Sequence, residues 1–551
     1  MSVGTWKSIS ERKVAERDAK LPSEWRISAD KLPPASVRDV TAFARESGLF
    51  TSRELEITEA FASDIVSRIA EGQWSSVEVT EAFCKRAVIA QQLLNCLSEP
   101  NFNAALARAK ELDSYLAEHG KPFGPLHGLP ISLKDQFRVK GLDATMGYAG
   151  QAFQPSTEES TLVQLLYEAG AVIHTKTNVP TTLMAGETVN NVFGRTVNPH
   201  NRENIPGGSS GGESALISFH GSPLGVGTDI GGSIRSPASF TGLWALRPSI
   251  GRVPYRGANN SFLGQEAIQS TAGPLCNSPA DVRLFMQGLL STQPWLHDPG
   301  CLPIPWRSEA EKLPEKLCFA VATGDDVADS LPPLRRAVAL TREALERAGH
   351  TVIEWQWADR QCARARDIVI KMWSADGGED VRRQLEVTGE TLPEEIVVNP
   401  NGTPQTVFET WQNQYAAQDF KAEFLAQWQA TATVTGTGRP IDGLIMPCTP
   451  FPAKPHGGRY PWFYTSLVPL LDVSSGVFPV TRVDQQLDVP RADYEPFGEV
   501  DKRVHDSYAG PEKYWNAPVG LQLIGRRLEE EKIVGMLTEI EKVFKAADVH
   551  P

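Results

Sequence analysis

The stretch GGSSGGESALISFHGSPLGVGTDIGGSIR, residues 207–235, decides how this chain is read. GGESALISFH reads as a helix and LGVGTD as a buried strand, so a helix, a turn and a strand separate Ser209 from Ser233 and let both converge on one site. Glycines flank each serine and let backbone approach a carbonyl oxygen closely. A serine is a weak nucleophile unless a base lies beside it, so the pattern points to acyl transfer. Upstream, GLPISLKD (Gly128 to Asp135) is a strand-like run that delivers Lys134 at its end. Burial there would hold the amine neutral and make it the base that the serines need. Asp135 is discounted as a partner for Lys134, because neighbours on a strand point to opposite faces.

In these three segments the chain resembles the amidase signature family of serine hydrolases. Over most of its length it is similar to the family's fungal acetamidase branch: LPSEW (21–25), HGLPISLKDQ (127–136), ETVNN (187–191), GRTVNP (194–199) and QLIGRRL (522–528) carry the likeness. The resemblance implies Ser233 as nucleophile, Ser209 as a bridging serine after a cis Gly208–Ser209 bond, and Lys134 as general base. It implies an oxyanion hole made by the backbone amides of Ile230, Gly231, Gly232 and Ser233, and a substrate pocket touching Met184, Gly207, Gly208 and Ser209. Glu187 falls near the same pocket and is equally readable as structural.

Competing readings of the same residues are specific. Ser233 follows a buried strand at a helix start and reads structurally as an N-cap; the glycines before it also leave helix N-terminal amides aimed at an oxyanion. GGSSG and GSSGG both satisfy the GxSxG nucleophile elbow, but an elbow follows a hydrophobic strand directly, and NPHNRENIP before Gly207 is a polar loop. Ser210 therefore reads as a support for the loop or for Ser233, or as an ordinary surface serine. Asp229 and Arg235 either brace the oxyanion loop or form a local ion pair. Gly225, Gly227 and Gly231 make GxGxxxG, one residue too long for a dinucleotide fingerprint, and no Walker A sequence occurs.

Strand and helix candidates alternate: LPISLK, then STLVQLLYEAG, AVIHTKT, GGESALISFH, LGVGTD and a helix near Ser233. This predicts an α/β fold, a central mixed sheet covered by helices on both faces, as the amidase signature resemblance also implies. DGLIMP from Asp442, APVGLQLIG from Ala517 and a helix over 528–544 would complete the sheet. Ser75 and Glu78 predict a capping box, with Val79, Phe83, Ala87, Ala90 and Leu94 on one face of the helix that follows. Residues 1–51 read as an arm packed on the body, and 52–551 as a single amidase signature domain. GRYPWFYTSLVPLLDVSSGVF reads as ordinary core and loop, or as a pocket lining or lid; 484–513 reads as a solvated excursion.

With 551 residues, 41% of them hydrophobic, the chain can bury a large core. A net charge of −13 with dispersed basic residues argues against nucleic acid and anionic membranes and for small neutral substrates. Seven cysteines without a CxxC pair argue for a reducing compartment and against structural zinc, and no HExxH occurs. The charged N-terminus lacks the apolar core of a secretory signal, and no run of about 18 apolar residues could span a membrane. The expectation is a cytoplasmic enzyme without metal or organic cofactor that hydrolyses carboxylic amides, of small acyl groups by likeness to acetamidases. Alternatives are a urethane (carbamate) or aryl-amide hydrolase with the same triad, and a glutaminase-type subunit of a larger complex. Family likeness implies a homodimer.

Overall fold

Strand-helix alternation closes into one mixed sheet in the computed structural model, which describes residues 5–458 and 464–550. In chain order its strands are β1 (Leu97–Pro100), β2 (Pro130–Lys134), β3 (Val172–Thr177), β4 (Leu224–Asp229), β5 (Trp244–Arg247) and β6 (Thr271–Cys276). There follow β7 (Cys318–Val321), β8 (Thr351–Glu354), β9 (Gly443–Pro447), β10 (Ser475–Arg482) and β11 (Pro518–Ile524). Across the sheet the order is β1, β3, β2, β4, β6, β5, β10, β11, β9, β7, β8. Parallel pairing joins β3, β2 and β4 near one edge and β9, β7 and β8 at the other. Antiparallel pairs fill the middle, so the late strands do complete the same sheet.

The helices that frame the site are α1 (Trp6–Ala19), α2 (Ser76–Leu94), α3 (Thr161–Glu168), α4 (Gly211–Ser218), α5 (Arg235–Thr241) and α6 (Pro279–Ser291). Three more follow: α7 (Gln361–Trp373), α8 (Glu499–Asp506) and α9 (Glu530–Ala547). Side chains alternate across each strand, so one strand feeds two cores. Ala245, Leu275 and Val477 pack with Ile217 of α4, Ala238 of α5 and Ile234 just before α5. Their neighbours Leu246 and Phe478 pack with Phe285 and Leu289 of α6 and Ile533 and Leu537 of α9. Both faces are therefore covered.

The glycines of LGVGTD follow from this packing. A Cβ on Gly225 would lie 2.1 Å from Glu213 Oε2, and one on Gly227 would lie 2.7 Å from Ser210 Oγ. Only a strand without side chains at those positions lets α4 settle onto the sheet, which is the close-approach use of strand glycine rather than a nucleotide cradle.

Several local expectations need correction. Ser75 caps α2 by accepting the Glu78 N–H, but the Glu78 carboxylate binds Arg53, so half of the capping box forms. All five apolar residues of its predicted face are buried. Ser233 is not an N-cap: α5 begins at Arg235, with Ile234 at the cap position. Within 484–513 the chain forms α8, and Asp488 and Asp501 are fully buried, so the stretch is more than a solvated excursion. Arg336 grips Asp488 with both carboxylate oxygens 2.8 Å from a guanidinium nitrogen. Part of the aromatic segment, residues 459–463, lies outside the described residues; beyond it Tyr464, Leu467 and Val468 are core. In α1, Lys13 is buried and pairs with Glu99 and, at 2.6 Å, with Asp143, while Arg17 donates to Asn95 Oδ1 at 2.9 Å.

Candidate active site

Lys134 closes β2, and Asp229 closes the parallel neighbour β4, so both stand at the carboxyl ends of adjacent parallel strands. Lys134 is fully buried, with Nζ 2.7 Å from Ser209 Oγ and 2.7 Å from Thr228 Oγ1. Thr228 in turn donates to Gln136 Oε1 at 2.6 Å. The Gln136 amide nitrogen donates to the Asn259 carbonyl at 2.7 Å, which fixes which end of the amide faces Thr228. Thr228 must then accept from Lys134, whose second 2.7 Å contact is with Ser209 Oγ. Burial lowers the Lys134 pKa from 10.5 to about 7, against the opposing pull of Asp229, Glu213 and Asp135. Asp135 is not its partner: its Oδ2 accepts from the Thr145 hydroxyl and the Met146 N–H.

Asp229 and Arg235, both fully buried, form an ion pair and brace the loop at once, so the two readings of these residues coincide. Arg235 Nε and Nη2 each lie 3.0 Å from an Asp229 oxygen, and the guanidinium also donates to Gln522 Oε1 and the Thr465 carbonyl. Burial alone would raise the Asp229 pKa; Arg235, with Arg247 and the Gly232 N–H, overcomes this and holds it below the ordinary carboxylate value.

The same carboxylate engages one of the four amides expected to form an oxyanion hole. The Gly232 N–H donates to Asp229 Oδ1 at 2.8 Å and is already used. Among the described residues the N–H groups of Ile230, Gly231 and Ser233 have no acceptor. Gly232 sits at φ +120°, where a Cβ would meet Thr465 Oγ1 at 2.4 Å, so the turn that presents these amides needs glycine. The Ser210 N–H donates to the Ser233 carbonyl at 3.2 Å, and its Oγ contacts the Thr228 backbone at 3.4 Å, so Ser210 ties the two serine loops together. The Gly208–Ser209 peptide bond is cis.

A cavity of about 580 Å³ opens beside this centre, walled mainly by apolar side chains such as Met184, Phe262, Val369, Ile370 and Trp373, with Arg366 and Arg503 in its lining. Trp373 connects it to the glycine loop: its Cη2 lies 2.5 Å from where a Cβ on Gly231 would stand. Met184 is thus in the cavity wall. Gly207, Gly208 and Ser209 are not among its lining residues; the two glycines pack tightly on Pro237 and on the Ala185–Glu187 backbone. Glu187 is held by His456, Arg195 and the Gly457 N–H. Sequence reading missed Gln136, Thr228, Glu213 and the α7 wall. Gln136 and Thr228 lie inside quoted motifs, but α7 carries no signal that links it to the serines.

Among the described residues no group of three or more His, Cys, Asp or Glu side chains is placed to hold a metal ion, and no helix is long and apolar enough to cross a membrane. A large mixed sheet flanked by helices, with a buried lysine and serine loops at the ends of parallel strands, defines an α/β enzyme of the amide-hydrolysing class. The chain belongs to the amidase family, whose model, Amidase, matches residues 78–534. It is 52% identical over 549 residues to a Curvularia clavata protein named as an amidase, kk1C, covering 99% of both chains. It is 42% identical to the acetamidase of Emericella nidulans, covering 98% of both. A solved fatty acid amide hydrolase superposes with a TM-score of 0.90 at 30% identity, over 97% of this chain and 94% of that one.

Proposed function

We propose that the protein hydrolyses carboxylic amides through an acyl-enzyme, with Ser233 as nucleophile, Ser209 as bridge and Lys134 as base. Ser233 Oγ bonds to the amide carbon as its proton passes to Ser209 and the Ser209 proton passes to neutral Lys134. The carbonyl oxygen becomes an oxyanion facing the N–H groups of Ile230, Gly231 and Ser233. On collapse the C–N bond breaks, and the proton held by Lys134 returns through Ser209 to the leaving nitrogen. Water then repeats the relay and releases the acid. The observation that carries this reading is the 2.7 Å contact between Ser209 Oγ and a fully buried lysine that titrates near 7.

The cavity is in the range that holds drug-sized ligands, well beyond an acetyl group. This favours amides with an aryl or medium alkyl portion over small acyl amides alone. The test is a serine-directed phosphonate followed by peptide mapping, together with turnover of acetamide, an anilide and ethyl carbamate by the purified chain. Label on Ser233 and preference for the anilide are expected. Label on Ser209 or Ser210 would defeat the nucleophile assignment, and no turnover by the isolated chain would favour a subunit dependent on partners.

A further inference from the structure

We propose that Glu213, a carboxyl group that touches neither the serines nor the cavity, is a positioning residue that sets the charge carried by Lys134. The proposal rests on Lys134 being the base. Glu213 lies in the first turn of α4 and is fully buried. Its Oε2 is 2.5 Å from Ser132 Oγ and its Oε1 is 2.8 Å from Thr177 Oγ1. Ser132 precedes Lys134 by two positions on β2 and so shares its face of the sheet. Thr177 is the register partner of Lys134 on β3, and Gly225, which pairs with Ser132 from β4, leaves the gap the carboxyl fills. Three strands and a helix therefore place this carboxyl directly beside the base along the strand.

What distinguishes Glu213 from the other acids here is its partners. The carboxyls whose charge acts on Lys134 are Asp229 from β4, Glu213 from α4 and Asp135 next in the chain. Asp229 is neutralised by Arg235 and Arg247, and Asp135 is bound by a hydroxyl and an N–H. Glu213 has only two hydroxyls, and no cation is paired with it among the described residues. Burial pushes its pKa up to about 8, partly opposed by Ser132, Thr177 and Lys134. A protonated Glu213 beside a neutral Lys134 has the same net charge as a carboxylate beside an ammonium, so the two titrate as a pair. Keeping the proton on the carboxyl leaves Lys134 free to act; ionising Glu213 returns the proton to the amine and silences the base. No proton path between them is required, because solvent equilibrates the two states between turnovers.

The pH profile of kcat/KM tests this in the wild type, Glu213→Gln and Thr177→Val, with folding checked by circular dichroism. Glutamine keeps the size and polar contacts of the protonated acid but never ionises. The acidic limb should move to lower pH by about half a unit to one unit. Thr177→Val removes a hydroxyl that favours the ionised carboxyl and should move the limb the same way, which a purely structural loss would not do. A folded Glu213→Gln enzyme whose limb stays at the wild-type position overturns the proposal; should that variant not fold, an unmoved or upward-shifted limb in Thr177→Val does so. A wild type without any acidic limb would sink the base assignment and this proposal together, whereas a wild-type limb that ignores Glu213 sinks this proposal alone.

Discussion

Replacing Lys134 by arginine keeps a positive charge and removes the proposed base, so it separates the two roles a buried lysine can play. Lysine in water titrates at 10.5 and is neutral at pH 7 in only about one molecule in 3,000; a group titrating near 7 is neutral in about half. Burial at the end of β2 thus raises the neutral population on the order of a thousandfold. Below pH 7, kcat/KM should fall about tenfold per pH unit in the wild type. Arginine stays protonated throughout, so Lys134→Arg should lose at least about a thousandfold and show no such limb. The assay is kcat/KM on a chromogenic anilide from pH 5 to 9, as about three decades of signal separate the outcomes above pH 7. A folded arginine enzyme with near-normal activity and the wild-type limb would refute the neutral-lysine mechanism.

The same burial has a stability consequence of determinate sign. The folded pKa of Lys134 lies below the unfolded one, so between pH 7 and 10.5 the unfolded chain binds a proton that the folded chain lacks, and stability rises with pH across that window. Below pH 7 the folded state bears the full penalty, at most roughly 5 kcal/mol, from which about 1 kcal/mol for each hydrogen bond to Ser209 and Thr228 must be subtracted in a variant that lacks them. Lys134→Met, nearly equal in volume, should therefore unfold at a higher temperature than wild type at pH 6, with the gap closing toward pH 10. A lower Tm for the methionine variant at pH 6 would show that the amine is not penalised by burial.

Asp229→Asn strands the Arg235 guanidinium in the core and loosens Gly232, so a loss of about 3–5 kcal/mol in urea unfolding should accompany a lower kcat; stability within about 1 kcal/mol of wild type would count against the brace. Trp373→Ala opens the cavity beside Gly231 and should raise kcat/KM for a bulky anilide over acetanilide by about tenfold, and an unchanged ratio would remove Trp373 from the substrate path. Activity should survive exhaustive chelation and dialysis, since the chemistry proposed uses only side chains and backbone amides; loss restored by a divalent metal would contradict it.

The elements that carry the serines and the lysine were legible because their signals are local. An apolar run ending in Lys134, glycines where α4 meets β4, and a strand just before Ser233 are all set within a few residues by pleat, period and close approach. The charge of a side chain is not local. Lys176 on β3 is as deeply buried as Lys134 and also stands near the end of a fully buried strand, yet its Nζ reaches the Asp143 carbonyl near Lys13 and Glu99, away from the serines. No periodicity separates these two lysines; the faces of the sheet and the acids that distant segments bring to each do so. Likewise, glycines before Ser233 announced amides for an oxyanion, but only the fold of the loop onto Asp229 decided that Gly232 is already occupied. The cavity wall lies more than a hundred residues downstream on α7. Which side chains a helix lays over a glycine loop depends on how the sheet closes, and that is decided by packing among all the strands together.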